Sequence, residues 1–169
     1  MEEMAQVLNV SARQEGAKYL KTNHETVGVI VGRLCGPEAV GEVIDRAVLN
    51  VMVGNGDAHL KNWALLYPDG RRPILSPAYD VVPTVMYVPG DDLGMKLAGT
   101  RQFEAVTTKS FDLLGERTGI GVENARARAR DAVSRIRENW GVLRDYVTAD
   151  QYRLLTERLG SLWLLKDAS

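Results

Sequence analysis

The feature that most constrains this chain is a polar, glycine-flanked stretch, Asn55-Gly56-Asp57-Ala58-His59-Leu60-Lys61-Asn62, set between two apolar segments. Upstream, Val40, Val43, Ile44, Ala47, Val48 and Met52 recur at spacings of three and four, which predicts a buried helix from Pro37 to Val53. Proline suits the first turn of that helix and Gly54 suits its end. Downstream, Trp63 to Tyr67 reads as a strand, Pro68-Asp69-Gly70 as a turn, and Ile74-Leu75 as the returning strand. The hairpin brings the chain back to its start, so Ser76-Pro77-Ala78-Tyr79-Asp80 is expected at the same mouth as Asn62.

The remainder is predicted to be mainly helical. Residues 2–8 read as a short helix, the segment to about Asn23 as loop, and Glu25 to Leu34 as a helix carrying Val27, Ile30, Val31 and Leu34. Residues 81–98 look extended, with a turn at Gly90-Asp91-Asp92. Helices are expected over Ser110–Arg117, Val122–Tyr146 and Ala149–Leu165. The fold class is therefore mainly α, α+β overall, with a short β-hairpin beside the polar loop, in one domain over residues 1–169. The net charge of −1 provides no general field for nucleic acid or an anionic membrane. One cysteine, Cys35, and two histidines exclude an internal disulfide and a structural zinc site. No apolar run approaches the ~20 residues of a spanning helix, and a cytoplasmic location is expected.

The polar loop carries the chemistry. An acid, an asparagine five residues later, and a second acid after a hairpin form the layout of a protein-kinase catalytic loop and its metal-binding aspartate. Phosphoryl transfer needs a carboxylate to orient the attacking hydroxyl, and oxygen ligands for a hard cation on the phosphates. Asp57 fits the first role; Asn62 and Asp80 fit the second. Lys61 is placed to neutralise charge on a transferring phosphoryl group. His59 is open between holding the loop's shape and direct participation.

The run Asn50, Gly54-Asn55-Gly56-Asp57-Ala58-His59-Leu60-Lys61-Asn62, and Ser76-Pro77-Ala78-Tyr79-Asp80 resembles the C-terminal domain of HipA-type serine/threonine kinases, toxins of bacterial toxin–antitoxin systems. The opening Glu3-Met4-Ala5-Gln6-Val7-Leu8 is similar to the segment preceding that core. The resemblance implies a helical kinase-like C-lobe, ATP as substrate and Mg2+ as cofactor. It implies Asp57, with Lys61 and His59, as the catalytic group, and Asn62 and Asp80 as metal ligands. Asn55, Lys61 and Tyr79 are expected on the nucleotide side. The implied partners are a protein substrate, with aminoacyl-tRNA synthetases as known family targets, and a helix-turn-helix antitoxin through which DNA is reached indirectly. No G-x-G-x-x-G lid and no strand lysine precede the loop. The nucleotide-clamping N-lobe is thus expected to lie elsewhere, in a separate segment or chain. Weak ATP affinity is expected for this chain alone, and self-association through an apolar patch near the cleft.

A non-enzymatic remnant that binds protein or DNA is the alternative reading, and a metal-dependent hydrolase built on Asp57, His59 and Asp80 is a weaker one. Arg126, Arg128, Arg130, Arg135 and Arg137 interleave with Glu123, Asp131 and Glu138, and are expected to form a solvated face rather than a nucleic-acid site. His24 is expected as a cap or solvated loop residue, and Trp63, Trp140 and Trp163 as core.

Overall fold

The computed structural model describes residues 1–10 and 22–168. The loop expected before Asn23 falls mostly outside the described residues. The chain opens with strand β1 (Glu2–Glu3) and one helical turn, α1 (Met4–Val7). Helices α2 (His24–Cys35) and α3 (Ala39–Val53) follow. After the polar loop come β2 (Ala64–Leu66) and β3 (Ile74–Leu75). The last third holds α4 (Asp112–Thr118), α5 (Val122–Glu138), α6 (Ala149–Leu159) and α7 (Trp163–Asp167).

Helix α3 is the axis of the molecule. Its residues Val40, Val43, Ile44, Ala47, Val48, Val51 and Met52 are all buried. It packs between α2 and α5, while α4 closes against both of those helices. A fully buried valine or isoleucine contributes about 1.5–3 kcal/mol by leaving water. This continuous apolar surface therefore anchors the segment that follows it. The sheet is antiparallel in the order β1-β2-β3, with Glu3 opposite Ala64 and Leu65 opposite Leu75. The short helix expected over residues 2–8 is present at Met4–Val7, but it starts later, because Glu2 and Glu3 pair with the free edge of β2.

Three other expectations are corrected. Residues 81–98 are not extended strands. Pro83, which cannot donate to a ladder, starts a 3-10 turn at Thr84–Met86, and the rest is turns and isolated bridges, Asn23 with Lys96 and Leu97 with Thr100. Helix α5 stops at Glu138, and Asn139 and Gly141 pass the chain into 3-10 geometry over Trp140–Asp145. The last expected helix is two, broken at Gly160-Ser161.

His24 is buried inside the fold, with Asn23 as the true cap, its side chain accepting from Thr26 N at 2.8 Å. The His24 Nδ1 and backbone N both reach Lys96 O, at 3.1 and 3.0 Å. A carbonyl only accepts, so Nδ1 carries the ring proton. Burial pulls the imidazole below its ordinary range, against the opposing effects of the Lys96 bond and Glu25. Next to it, buried Glu25 accepts Ala98 N–H at 2.6 Å, so the start of α2 grips the 96–98 turn.

Trp63 and Trp140 are core, but Trp163 is exposed, with Lys166 Nζ 4.7 Å from its ring centroid. The arginine face is less solvated than expected. Arg128 and Arg135 both pair with Asp45 of α3, at 2.6 and 2.9 Å, and Arg126 pairs with Asp112 of α4 at 2.5 Å. These guanidiniums tie helices together. The Arg126 bond also holds the Asp112 carboxyl below its usual range.

Candidate active site

The site begins where α3 ends. Gly54 takes the left-handed conformation, φ 73° and ψ 51°, and its N–H returns to Asn50 O at 3.0 Å, as does that of Asn55 at 2.9 Å. A side chain at Gly54 would collide with Val85 as well as strain the backbone. The chain therefore leaves the helix in one defined direction.

Two buried asparagines then fix the loop from beneath. Asn55 Nδ2 donates to Asn50 Oδ1 at 3.0 Å and approaches Asp80 O at 3.5 Å. Its Oδ1 accepts from Asp57 N at 3.2 Å. Asn55 is 1 % exposed, so it lies under the loop rather than in its mouth. Its amide spans both acid-bearing segments, holding the backbone of Asp57 and facing that of Asp80.

From above, Thr84 accepts Gly56 N–H at 2.7 Å, and its hydroxyl meets the Asp91 carboxylate. Val85 N donates to Gly54 O at 3.2 Å. Gly94 presses directly on the loop backbone: a Cβ there would lie 2.6 Å from Ala58 O and 2.7 Å from Gly56 O.

On this scaffold the Asp57 side chain is 49 % exposed, with its Oδ1 3.9 Å from His59 Nε2. His59 is buried, and its backbone N–H donates to Asn62 Oδ1 at 2.9 Å. Asn62 in turn donates from Nδ2 to Asp80 Oδ2 at 2.6 Å. The metal-ligand pair expected from the sequence is thus in direct contact across the hairpin. Asp80 is exposed and sits at φ 56°, a left-handed conformation that costs a non-glycine residue roughly 1–2 kcal/mol. Strain of this kind concentrates at functional sites. Lys61 is exposed beside the loop, and the Tyr79 hydroxyl donates to the Lys61 carbonyl. Burial raises the Tyr79 phenol, with Glu3 adding to the effect and Arg46 opposing it.

Among the described residues, no cluster of three or more histidine, cysteine or acidic side chains forms a metal cage. The oxygen donors of Asp80 and Asn62 nevertheless fit a hard cation such as Mg2+. That ion takes one or two protein oxygens and completes its shell with phosphates and water. The Asn62 amide oxygen has a second lone pair beyond the one used by His59 N–H.

Three contributors were missed in the sequence. Arg46 lies behind the loop with its guanidinium 5.5 Å from the Trp63 ring centroid, donating to Ser76 O; desolvation lowers its pKa. Its spacing of four from Asn50 puts both polar groups on one face of the helix, which was the available signal. Thr84 and Asp91 had none, because only the fold brings them to Gly56.

The model for the HipA-like C-terminal domain matches residues 1–140. The chain belongs to the HipA-like C-terminal domain family. Two proteins of Sinorhizobium fredii are similar in sequence. "Putative kinase Y4dM" is 36 % identical over 141 residues, covering 83 % of this chain and 34 % of that protein. "Putative kinase Y4mE" is 37 % identical over 97 residues, covering 54 % of this chain and 22 % of that protein. This HipA-like chain therefore spans about a third, at most, of these relatives' lengths. Its fold is similar to HipA of Shewanella oneidensis, solved with HipB and operator DNA. The TM-score is 0.72 at 16 % identity, covering 99 % of this chain and 42 % of that one. The mainly helical HipA-type architecture is thus shared along nearly the whole chain. No helix among the described residues is long and apolar enough to cross a membrane.

Proposed function

We propose that this HipA-like chain supplies the base-and-metal half of a serine/threonine protein kinase site. The observation that carries this reading is the contact of Asn62 Nδ2 with Asp80 Oδ2 at 2.6 Å, beside a half-exposed Asp57 on a loop fixed from beneath. Side chains 18 residues apart are brought into contact at one mouth, which supports this reading. Asp57 orients the serine or threonine hydroxyl and accepts its proton as the oxygen bonds to the γ-phosphorus of ATP and ADP departs. Lys61 meets phosphate charge from the exposed side. His59 and Asn62 hold the 3-10 turn Leu60–Asn62, which sets the distance between the two acids. A bound Mg2+ would neutralise phosphate charge, held by Asp80 and Asn62.

The glycine-rich lid and strand lysine of a kinase must come from outside residues 1–169, in the same protein or a separate chain. The complex of the Shewanella relative with HipB and operator DNA supports a HipB-like antitoxin as partner, with DNA contacted through it. The commitment of Arg126, Arg128 and Arg135 to Asp112 and Asp45 is consistent with indirect contact.

Transfer from γ-labelled ATP to protein serine tests the proposal, measured for the chain alone and with the N-terminal part of Y4dM supplied. Transfer is expected only in the second case, and is expected to vanish with Asp57→Ala or Asp80→Ala at unchanged fold. Absence of transfer in both cases would favour a non-enzymatic protein-binding module. Transfer persisting in Asp57→Ala would remove the acid from the chemistry.

A further inference from the structure

Helix α6 lies wholly beyond residues 1–140, yet one of its side chains reaches the base of the loop. Arg158 Nη1 donates to Val51 O and to Met52 O, both at 2.9 Å. These carbonyls belong to the last turn of α3, which cannot satisfy them within the helix. Asn50 O is taken by Gly54 and Asn55, and Gly54 O by Val85, so Arg158 satisfies two further carbonyls at this helix end. Its guanidinium also lies 4.7 Å from the Phe103 ring centroid. A Cβ built on Gly54 would fall 3.1 Å from its Cζ, so the cation rests against the residue that turns the chain into the loop. Burial lowers the guanidinium's pKa, with Glu104 opposing. A cation at a helix C-terminus also meets the negative end of the helix dipole.

We infer that Arg158 is a positioning residue for the Asp57 loop, so that α6 sets the direction in which α3 releases Asn55, Gly56 and Asp57. Moving or removing α6 would shift the Gly54 turn and, through Asn55, both acids. Only the consequence for metal binding rests on the proposed kinase reading; the mechanical coupling stands apart from it.

The test compares Arg158→Met and Arg158→Lys with the parent chain by amide hydrogen exchange and by Mn2+–ADP broadening of the Asn62 side-chain amide. Arg158→Met is expected to speed exchange at Gly54, Asn55 and Gly56 at least tenfold relative to Ala129 and Val133 of α5. Arg158→Lys, whose ammonium can still donate, is expected to recover part of that protection. Loop amides that keep their protection relative to α5 would overturn the proposal. If Arg158→Met loosens the entire chain, Arg158→Lys decides. Selective loss in the loop upholds the coupling, and uniform loss or none overturns it. Loop-selective exchange with Mn2+ broadening absent from all three proteins, even when the N-terminal part of Y4dM is supplied, would uphold the coupling and count against the kinase reading alone.

Discussion

Asp57 and Asp80 reach the same mouth on segments that are held in opposite ways. The Asp57 segment grows out of buried α3, turns at Gly54, and is braced by Asn50 and Asn55 below and Thr84 and Gly94 above. The Asp80 segment is exposed along Pro77–Val82 apart from the half-buried Tyr79, and Asp80 itself is left-handed. Its side chain is fixed by Asn62, a residue of the first segment. The contrast suits the proposed site, in which Asp57 as base would stay put while Asp80 as metal ligand would adjust to incoming phosphates. Val81, Val82, Tyr87 and Val88, which follow Asp80, are exposed apolar side chains.

The sharpest way to break the contrast is to push the two segments apart. Gly94→Ala places a methyl group against the carbonyls of Ala58 and Gly56, and backbone cannot swing aside. A loss of about 3 kcal/mol is expected in urea unfolding, well above the cost at Gly141, where a Cβ meets nothing. Thr84→Val is next. It leaves the Gly56 N–H and the Asp91 carboxylate without the hydroxyl they share, at a cost of about 1–3 kcal/mol. A smaller effect comes from pH. His24 is neutral in the fold with a lowered pKa, so the unfolded chain binds more protons once pH falls towards the ordinary imidazole value of 6.5 and below it. Stability is then present above that pH and declines below it, by at most about 1.4 kcal/mol per pH unit. Urea midpoints at pH 7.5 and 5.5 should show the decline, and His24→Phe should flatten it. The paired carboxylates Asp112 and Asp167 have lowered pKa values and act only at more acidic pH, near and below 3.8. Asp80→Gly should have the smallest effect on stability, within about 1 kcal/mol, since relief of the left-handed backbone offsets the lost Asn62 bond. Its consequence for metal binding should nevertheless be complete.

The same contrast explains what could be read from the sequence. The Asp57 segment was legible because its neighbours are periodic: the α3 stripe, Gly54 as a stop, and a hairpin with a Pro-Asp-Gly turn. Its pairing with Asp80 followed from the hairpin's return. The 81–98 segment, read as extended, is turns instead, because its form is set by contacts with Gly54, Gly56 and the start of α2 rather than by local pattern. His24 was misplaced for a similar reason, since the Lys96 carbonyl that holds it lies 72 residues away. Asn55, expected on the nucleotide side, sits in the foundation of the loop, because its amide is engaged by Asn50 and Asp57. Arg158 had no local signal at all, as its partners are backbone carbonyls over 100 residues distant.

The account depends most on Asn62 and Asp80 forming one cation site beside Asp57 on this chain. Titrating the protein with Mn2+ and ADP while following amide spectra reads that directly, because the paramagnetic ion broadens only nearby nuclei. Selective broadening of the Asn62 side-chain amide and of the Asp57 and Asp80 backbone signals is predicted, with loss of the effect in Asp80→Gly. Broadening centred elsewhere, or unchanged in that variant, would contradict the account.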